Sequence, residues 1–312
     1  MSFADFLKSG HKPTLLSAFF YSDMSFMVWV LLGPLAIHIA RDLNLTAGQQ
    51  YTMVAIPLLA GAVLRIPVGA LVDRHGPLRT GLLCQALVIV ALFVASAGQV
   101  STVAGLYLLG AALGVAGTSM AVALPLAARW YPDEHQGKAL GIAGAASSGT
   151  VFAALFAPGL AETYGWRSVL AFAAAALFLT LFVYLFFAKE RPAPAATGRP
   201  GYARVLAEAD LWWFMLFYAV TFGGVVALAS VLVLYFHEQY RLAPVTAGYF
   251  TAACVLAGAA MRPVGGWIAD RFGGVKSLHL MFGLAALGMF LVALGLPGSL
   301  AAMFFLVFVM AA

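Results

Sequence analysis

The feature that most constrains this chain is a series of apolar runs, all but the last about 20 residues or slightly longer, and nearly free of charge. Ten such runs follow one another, near residues 13–36, 51–71, 77–97, 102–126, 139–160, 167–188, 211–234, 246–268, 277–297 and 299–312. A helix of this length and composition crosses the hydrocarbon core of a bilayer. Charged residues make up only 9% of the chain, against about 25% in soluble proteins. The chain is therefore predicted to be an all-α integral membrane protein.

The lysines and arginines between the runs predict which ends of the helices face the cytoplasm. With the N-terminus inside, twelve of the 17 basic residues lie in inner segments, and only Arg41, Arg167 and Arg241 lie in outer ones. Cytoplasmic loops of membrane proteins carry such an excess of basic residues. We therefore expect a multi-pass protein of the cytoplasmic (inner) membrane with a cytoplasmic N-terminus. Since this topology accounts for the net charge of +5, nucleic acid is not an expected partner.

The sequence repeats itself at a distance of 197 residues. The segment AGAVLRIPVGALVDRHG (60–76) aligns without a gap with AGAAMRPVGGWIADRFG (257–273), and eight positions are identical. A repeat of this length in a membrane protein is typical of a duplicated helical bundle. We predict an N-terminal six-helix half at 1–188, a cytoplasmic linker at 189–210 and a C-terminal half at 211–312. Because that second half shows only four runs, the chain is expected to be truncated at its C-terminus.

Both copies of the repeat end in the pattern GxxxDRxG where a predicted helix enters a cytoplasmic loop. The pattern contains Asp73 and Arg74 in the first copy and Asp270 and Arg271 in the second. Side chains of opposite charge at this place can pair with each other or with helix ends and hold the inner mouth closed, so these four residues form the predicted gate. The pattern resembles the hallmark of the major facilitator superfamily. This resemblance implies the major facilitator fold, with twelve helices in two six-helix halves.

Two arginines lie inside predicted spans at equivalent positions of the repeat. Arg65 and Arg262 each precede the aspartate of the motif by eight residues, about 12 Å at ~1.5 Å per residue, and so lie near the middle of the membrane. An arginine at this depth normally faces a cavity or a partner, and no acidic residue lies nearby in the sequence. Two planar guanidinium groups facing one cavity predict a small planar oxyanion as the ligand. The alternative is that each arginine reaches the inner surface or pairs with a helix end.

Asp23 is the only carboxylate inside a predicted span. In one interpretation it couples transport to a proton or pairs with one of the arginines as a gate. In the other its carboxylate accepts a hydrogen bond from Ser25 or Tyr21, or lies at a helix end. The histidines and the two cysteines show no spacing that would suit a metal, so neither a metal nor a cofactor is expected.

Small residues are concentrated at the start of the fifth run, in the segment GAASSGT (144–150). Such residues let helices touch and expose backbone N–H and hydroxyl groups to a cavity. Gly144, Ser147 and Gly149 are therefore predicted to contribute to ligand binding, with helix packing as the alternative. Gly117, in the fourth run, is predicted to serve packing alone.

Several stretches resemble the nitrate/nitrite porter family of this superfamily. They are SFMVWVLLGPL in the first run, the two intramembrane arginines, RWYPDEHQGKALGIAG before and in the fifth run, and YAVTFGG in the seventh. The resemblance implies that Arg65 and Arg262 clamp the anion and that Tyr218 donates a hydrogen bond to it. The family's fifth-run signature has the form GAGNSGT, whereas this chain has Ala146 in place of a glycine and Ser147 in place of the asparagine.

The predicted function is secondary active transport of nitrate, nitrite or both across the cytoplasmic membrane by alternating access. The protein is expected to act as a monomer in the lipid bilayer, with a proton or a counter-anion as the candidate coupling ion. Two alternatives stay open: a carrier of another small anion such as a monocarboxylate, and a membrane subunit that binds an anion without moving it. An enzyme is not expected, because no cluster of His, Asp, Ser or Cys lies near one membrane face.

Overall fold

The computed structural model describes residues 5–6, 9–144, 148–191, 206–295 and 298–311. This part of the chain is helical and contains no strand. Nine of its helices are long and apolar enough to cross a membrane. The tenth predicted run forms the helix Ser299–Ala311, whose 13 residues reach about 20 Å at ~1.5 Å each and fall short of a span. The protein is a multi-pass membrane protein, as its apolar runs predict.

Spans one to six contain the helices Lys12–Trp29 and Leu32–Leu43 (span one), Ala47–His75 (two), Pro77–Val94 with the π-helical Ala95–Gln99 (three), Val103–Gly114, the 3₁₀ turn Ala116–Thr118 and Ser119–Ala128 (four), Asp133–Gly144 and Ser148–Tyr164 (five), and Trp166–Phe187 (six). The later helices are Ala209–Tyr218, the π-helical Ala219–Gly223 and Gly224–Tyr240 (span seven), Pro244–Phe272 (eight), Gly274–Ala293 (nine) and Ser299–Ala311.

Spans seven and eight contact spans one, two and five toward the end of the bundle opposite the GxxxDRxG loops. There the Tyr51 hydroxyl donates to Glu238 Oε2 at 2.6 Å. Gly33 lies so close to the backbone of span seven that a Cβ at this position would overlap the Ser230 carbonyl oxygen. At the other end the helix Ala209–Tyr218 buries none of its residues. The two groups of spans therefore meet at the end away from the motif loops.

The segment after span six, at Lys189 and Glu190, is held beside the first motif loop by side-chain contacts. Glu190 Oε1 lies 3.6 Å from Arg129 Nη1, and the Trp130 indole N–H donates to the Lys189 carbonyl at 2.7 Å. The Glu190 carboxylate fills the space beside Gly76, where a Cβ would overlap it. Gly76 itself has φ 86° and ψ 158°, a conformation almost restricted to glycine. The last glycine of the motif is thus required both by its backbone angles and by its neighbour.

Gly76→Ala is expected to lower the free energy of unfolding by more than the same change at Gly273, the equivalent glycine of the second repeat. Gly273 has nearly the same backbone angles, φ 90° and ψ 142°, but a Cβ there meets no described atom within 4 Å. Gly273→Ala therefore costs backbone strain alone, about 1–3 kcal/mol. Gly76→Ala adds the displacement of Glu190 from Arg129. Thermal unfolding in detergent measures both, and equal losses would show that the Glu190 contact is unimportant.

Candidate functional site

Arg65 lies half-buried in the middle of span two, in contact with three other spans. Its Nη2 donates to the carbonyl of Gly117 at 2.8 Å. Its Cζ lies 5.5 Å from the ring centroid of Phe222 and 6.0 Å from that of Trp29, within the range of a cation–π interaction. Its Nε is buried and has no hydrogen-bond partner among the described residues. The guanidinium group is therefore bonded to protein through Nη2 alone, and its other N–H groups have no described acceptor.

The three residues around Arg65 all lie where a helix departs from regular α geometry. Trp29 is the last residue of the first helix of span one, Gly117 is in the 3₁₀ turn of span four, and Phe222 is in the π-helical segment of span seven. Irregular backbone at membrane depth is tolerated where it lines a cavity or is buried in protein. π-Helical segments are also frequent at functional sites. These interruptions converge on the depth of Arg65.

The positive charge of Arg65 has no counter-charge in the described part of the chain. No described carboxylate oxygen lies within 4.0 Å of its guanidinium nitrogens. A carbonyl oxygen and two aromatic faces compensate a full charge only in part. An arginine inside a membrane costs about 2.5–3.5 kcal/mol on insertion scales. A small anion bound at the remaining N–H groups would offset this cost.

Tyr218 lies at the border of the same aromatic cluster. Its ring stacks on Phe222 with centroids 5.0 Å apart and an angle of 11° between the planes. Phe222 also meets Phe26 edge-on at 6.0 Å, and Tyr218 is half exposed. Phe222 thus lies in contact with both Tyr218 and Arg65. Its predicted hydrogen bond to an anion stays a prediction.

Asp23 binds span five rather than its neighbours in span one. Its Oδ1 accepts hydrogen bonds from the Ser148 hydroxyl and from the Gly149 backbone N–H, both at 2.6 Å, and the residue is 3% exposed. The predicted hydrogen bond from Ser25 or Tyr21 is wrong, because the Ser25 hydroxyl donates to the Tyr21 carbonyl instead. Asp23 therefore joins span one to span five through Ser148 and Gly149.

The predicted ligand residues of span five have different surroundings. The Gly149 N–H is used by Asp23, and a Cβ on Gly149 would overlap the Asp23 backbone oxygen, so Gly149 allows spans one and five to touch. A Cβ on Gly144 would first meet Leu124, at 3.9 Å. Ser147 lies outside the described residues. The structure thus gives Gly149 a packing role, and ligand binding by Gly144 and Ser147 stays a prediction.

Arg262 and the predicted gate residues lie on the helices that the sequence assigns to them. Arg262 and Asp270 belong to the helix Pro244–Phe272, and their side chains are outside the described part of the structure. Asp73 and Arg74 are exposed at the end of span two. Arg271 is also exposed, and its Cζ lies 5.9 Å from the ring centroid of Phe272. Pairing within the motif and a clamp of two arginines stay predictions.

Sequence reasoning missed three residues of this site: Trp29, Gly117 and Phe222. Trp29 and Phe222 belong to the stretches SFMVWVLLGPL and YAVTFGG, so a resemblance could have pointed to them. Gly117 was expected to serve packing alone, yet its carbonyl accepts the Arg65 hydrogen bond. No sequence signal identifies a backbone carbonyl as a partner, because every residue carries one.

Comparisons with known proteins agree with this architecture. The sequence profile of the Major Facilitator Superfamily matches residues 15–312. A protein named Probable nitrate/nitrite transporter NarK2, of Mycobacterium tuberculosis (strain ATCC 25618 / H37Rv), is 36% identical over 267 residues, 84% of this chain and 67% of that protein. The Nitrite extrusion protein of Bacillus subtilis (strain 168) is 30% identical over 270 residues, 85% of this chain and 67% of that protein. The chain spans about two thirds of the length of these relatives.

A solved structure of the nucleoside transporter NupG is similar to this chain in fold. The TM-score is 0.72 at 12% sequence identity, and the match covers 96% of this chain and 79% of that one. At this identity the similarity concerns the arrangement of helices alone.

Proposed function

The chain belongs to the major facilitator superfamily, and from this premise we propose that it transports nitrate or nitrite by alternating access. The observation that carries the proposal is Arg65, a charged group at the middle of span two without a described counter-charge and with N–H donors to spare. A planar oxyanion can accept two hydrogen bonds from one guanidinium edge. The relatives that are named for nitrate or nitrite make these the first anions to test.

The second ligand in this proposal is Arg262. The helices Ala47–His75 and Pro244–Phe272 each have 29 residues, and each arginine lies 18 positions after the first residue of its helix. Two bundles related by a pseudo-twofold axis would bring the arginines to the same depth from opposite sides. Tyr218 would add a hydrogen bond from span seven. The anion would then lie between the two groups of spans.

The moving parts in this proposal are the helices of 1–188 and those of 211–312. If the N-terminus is cytoplasmic, the described contacts such as Tyr51–Glu238 hold spans two and seven together at the outer end, so we assign the structure to the state in which that end is closed. In the opposite state the motif residues Asp73, Arg74, Asp270 and Arg271 would pair and close the inner end. A ligand shifts this equilibrium only by binding one state more tightly than the other.

Exchange across a vesicle membrane tests the proposed function. The protein is reconstituted into vesicles that contain nitrite or nitrate, and uptake of labelled nitrate is followed, with Arg65→Ala as the control. We expect exchange that requires Arg65. Exchange of acetate or lactate without exchange of nitrate would instead support a monocarboxylate carrier. Nitrate binding without any exchange would support an anion-binding subunit.

Asp23→Asn separates the predicted proton coupling from the contact with span five. Both hydrogen bonds to Asp23 end on the same oxygen, and an asparagine oxygen can accept both. The variant should therefore fold with near wild-type thermal stability, whereas Asp23→Ala should lose stability by about 1–3 kcal/mol, because the Ser148 hydroxyl and the Gly149 N–H lose this acceptor. If Asp23 couples transport to a proton, nitrate uptake by Asp23→Asn no longer depends on pH. An unchanged pH profile would remove the coupling role and leave the contact with span five.

A further inference from the structure

Trp29 is a buried tryptophan whose position is fixed from two sides. It is 4% exposed, and its indole N–H donates to the Pro57 carbonyl of span two at 2.8 Å. Its ring meets Phe26 edge-on at 5.3 Å and lies nearly parallel to Phe222, with centroids 6.5 Å apart. A tryptophan held by a hydrogen bond and by ring contacts has little rotamer freedom.

Two glycines make room for this indole, and both are tied to Arg65. Gly61 precedes Arg65 by four residues and so shares its helix face, and a Cβ on Gly61 would lie 2.8 Å from the indole nitrogen. Gly117 supplies the carbonyl that accepts the Arg65 hydrogen bond, and a Cβ there would overlap the indole ring. The indole therefore contacts both spans two and four beside the hydrogen bond that joins Arg65 to Gly117.

The contacts of Trp29 bear on Arg65 in two ways. The indole packs against Gly61 in the helix that carries Arg65 and against Gly117 in the turn that holds its Nη2. It also provides an aromatic face 6.0 Å from the guanidinium carbon. A binding group must be held within about 0.5 Å of its productive geometry, and such precision comes from the residues that pack around it.

We propose that Trp29 is a positioning residue of the anion site, which fixes the guanidinium of Arg65 in the orientation that binds a planar oxyanion edge-on. This proposal rests on the proposed function of Arg65 as an anion ligand. Trp29 does not touch the anion itself. Its loss frees the guanidinium to rotate about its long side chain, so the charge stays while the geometry is lost.

Trp29→Phe tests this proposal against a matched control, Trp166→Phe. Trp166 is also 4% exposed, and its indole N–H also donates one hydrogen bond, to Asp42 at 2.9 Å, but it lies away from Arg65, at the end of the bundle opposite the motif loops. Both variants lose an indole N–H and ring volume from a buried site. Calorimetry with nitrate and with chloride, on both variants, on wild type and on Arg65→Ala, separates geometry from stability. Thermal unfolding of each variant is recorded in parallel.

We expect nitrate affinity to fall about tenfold in Trp29→Phe, the size of one lost hydrogen bond, while affinity for spherical chloride changes much less. Trp166→Phe should keep the wild-type ratio of nitrate to chloride affinity, even if its unfolding temperature falls by as much as that of Trp29→Phe. In the Arg65→Ala background, Trp29→Phe should have no further effect on nitrate binding, because the group that it positions is absent.

A wild-type nitrate affinity in Trp29→Phe, together with a strong effect of Arg65→Ala, would overturn the positioning role and leave the proposed function intact. Equal loss of nitrate and chloride binding would also overturn it, since that pattern indicates a general structural defect. If Arg65→Ala itself binds nitrate like the wild type, the proposed function fails first. The two failures are therefore distinguishable in one series of titrations.

Discussion

Replacing Arg65 with lysine is expected to weaken nitrate binding about a hundredfold or more while the protein still folds. Lysine keeps the positive charge but presents a point charge in place of a planar fork of donors. It also carries fewer N–H groups, so the bond to the Gly117 carbonyl and a paired contact with the anion compete for them. Nitrate titration of the purified variant measures the loss, and its unfolding temperature shows whether the fold is kept.

Arg167→Lys is the matched control for this prediction. Arg167 also lies over a tryptophan, with its Cζ 4.6 Å from the Trp166 ring, and its Nη1 lies 3.1 Å from Asp42 Oδ2. It differs from Arg65 in lying at the end of span six, where a carboxylate already compensates its charge. We expect its substitution to leave nitrate affinity within about twofold, as for a partly exposed ion pair. Wild-type nitrate affinity in Arg65→Lys would contradict the bidentate role of Arg65.

Gly33→Ala is expected to move most of the protein into a form that is open at the end opposite the motif loops. A Cβ on Gly33 would overlap the Ser230 backbone, which cannot rotate away as a side chain can. The contact joins span one to span seven, so separation of the two groups of spans relieves it. The steric overlap destabilises only the state in which spans one and seven are in contact. A substitution that destabilises one of two states shifts the population toward the other. The measured quantity is the distance between spin labels at Gly48→Cys and Gln239→Cys, with Cys84 and Cys254 replaced by alanine.

Gly149→Ala provides the comparison, because its Cβ would also overlap a backbone oxygen, that of Asp23. This contact lies within the first six spans, where no rocking motion relieves it. Gly149→Ala should therefore lower the unfolding temperature without changing the label distance, whereas Gly33→Ala should lengthen that distance. The same response from both glycines would contradict the division of the bundle into two moving groups.

The sequence predicts the membrane class and the spans because both are local properties. The apolar run 51–71 lies inside the helix Ala47–His75. The run 167–188 differs from the helix Trp166–Phe187 by one residue at each end. The depth of Arg65 follows from counting residues to the end of its helix. The all-helical fold of the superfamily is confirmed by the matching profile and by a solved structure.

The sequence does not predict the contacts of the site, because each contact joins residues far apart in the chain. The Arg65 bond to Gly117 spans 52 residues, and the Asp23 bond to Gly149 spans 126. Hydropathy and spacing carry no information about which helix lies beside which at a given depth. For this reason the sequence suggests Ser25 or Tyr21, each two residues away, as hydrogen-bond partners of Asp23, and it does not indicate the contacts of Trp29.

Binding of nitrate and nitrite to the purified chain, with and without the two arginines, tests the central claim most directly. Isothermal calorimetry is performed on the wild type and on the Arg65→Ala/Arg262→Ala double variant, with unfolding temperatures recorded for both. We predict saturable binding of at least one of the two anions to the wild type and none to the folded double variant. Binding of equal affinity to the double variant would contradict an anion site built on these arginines.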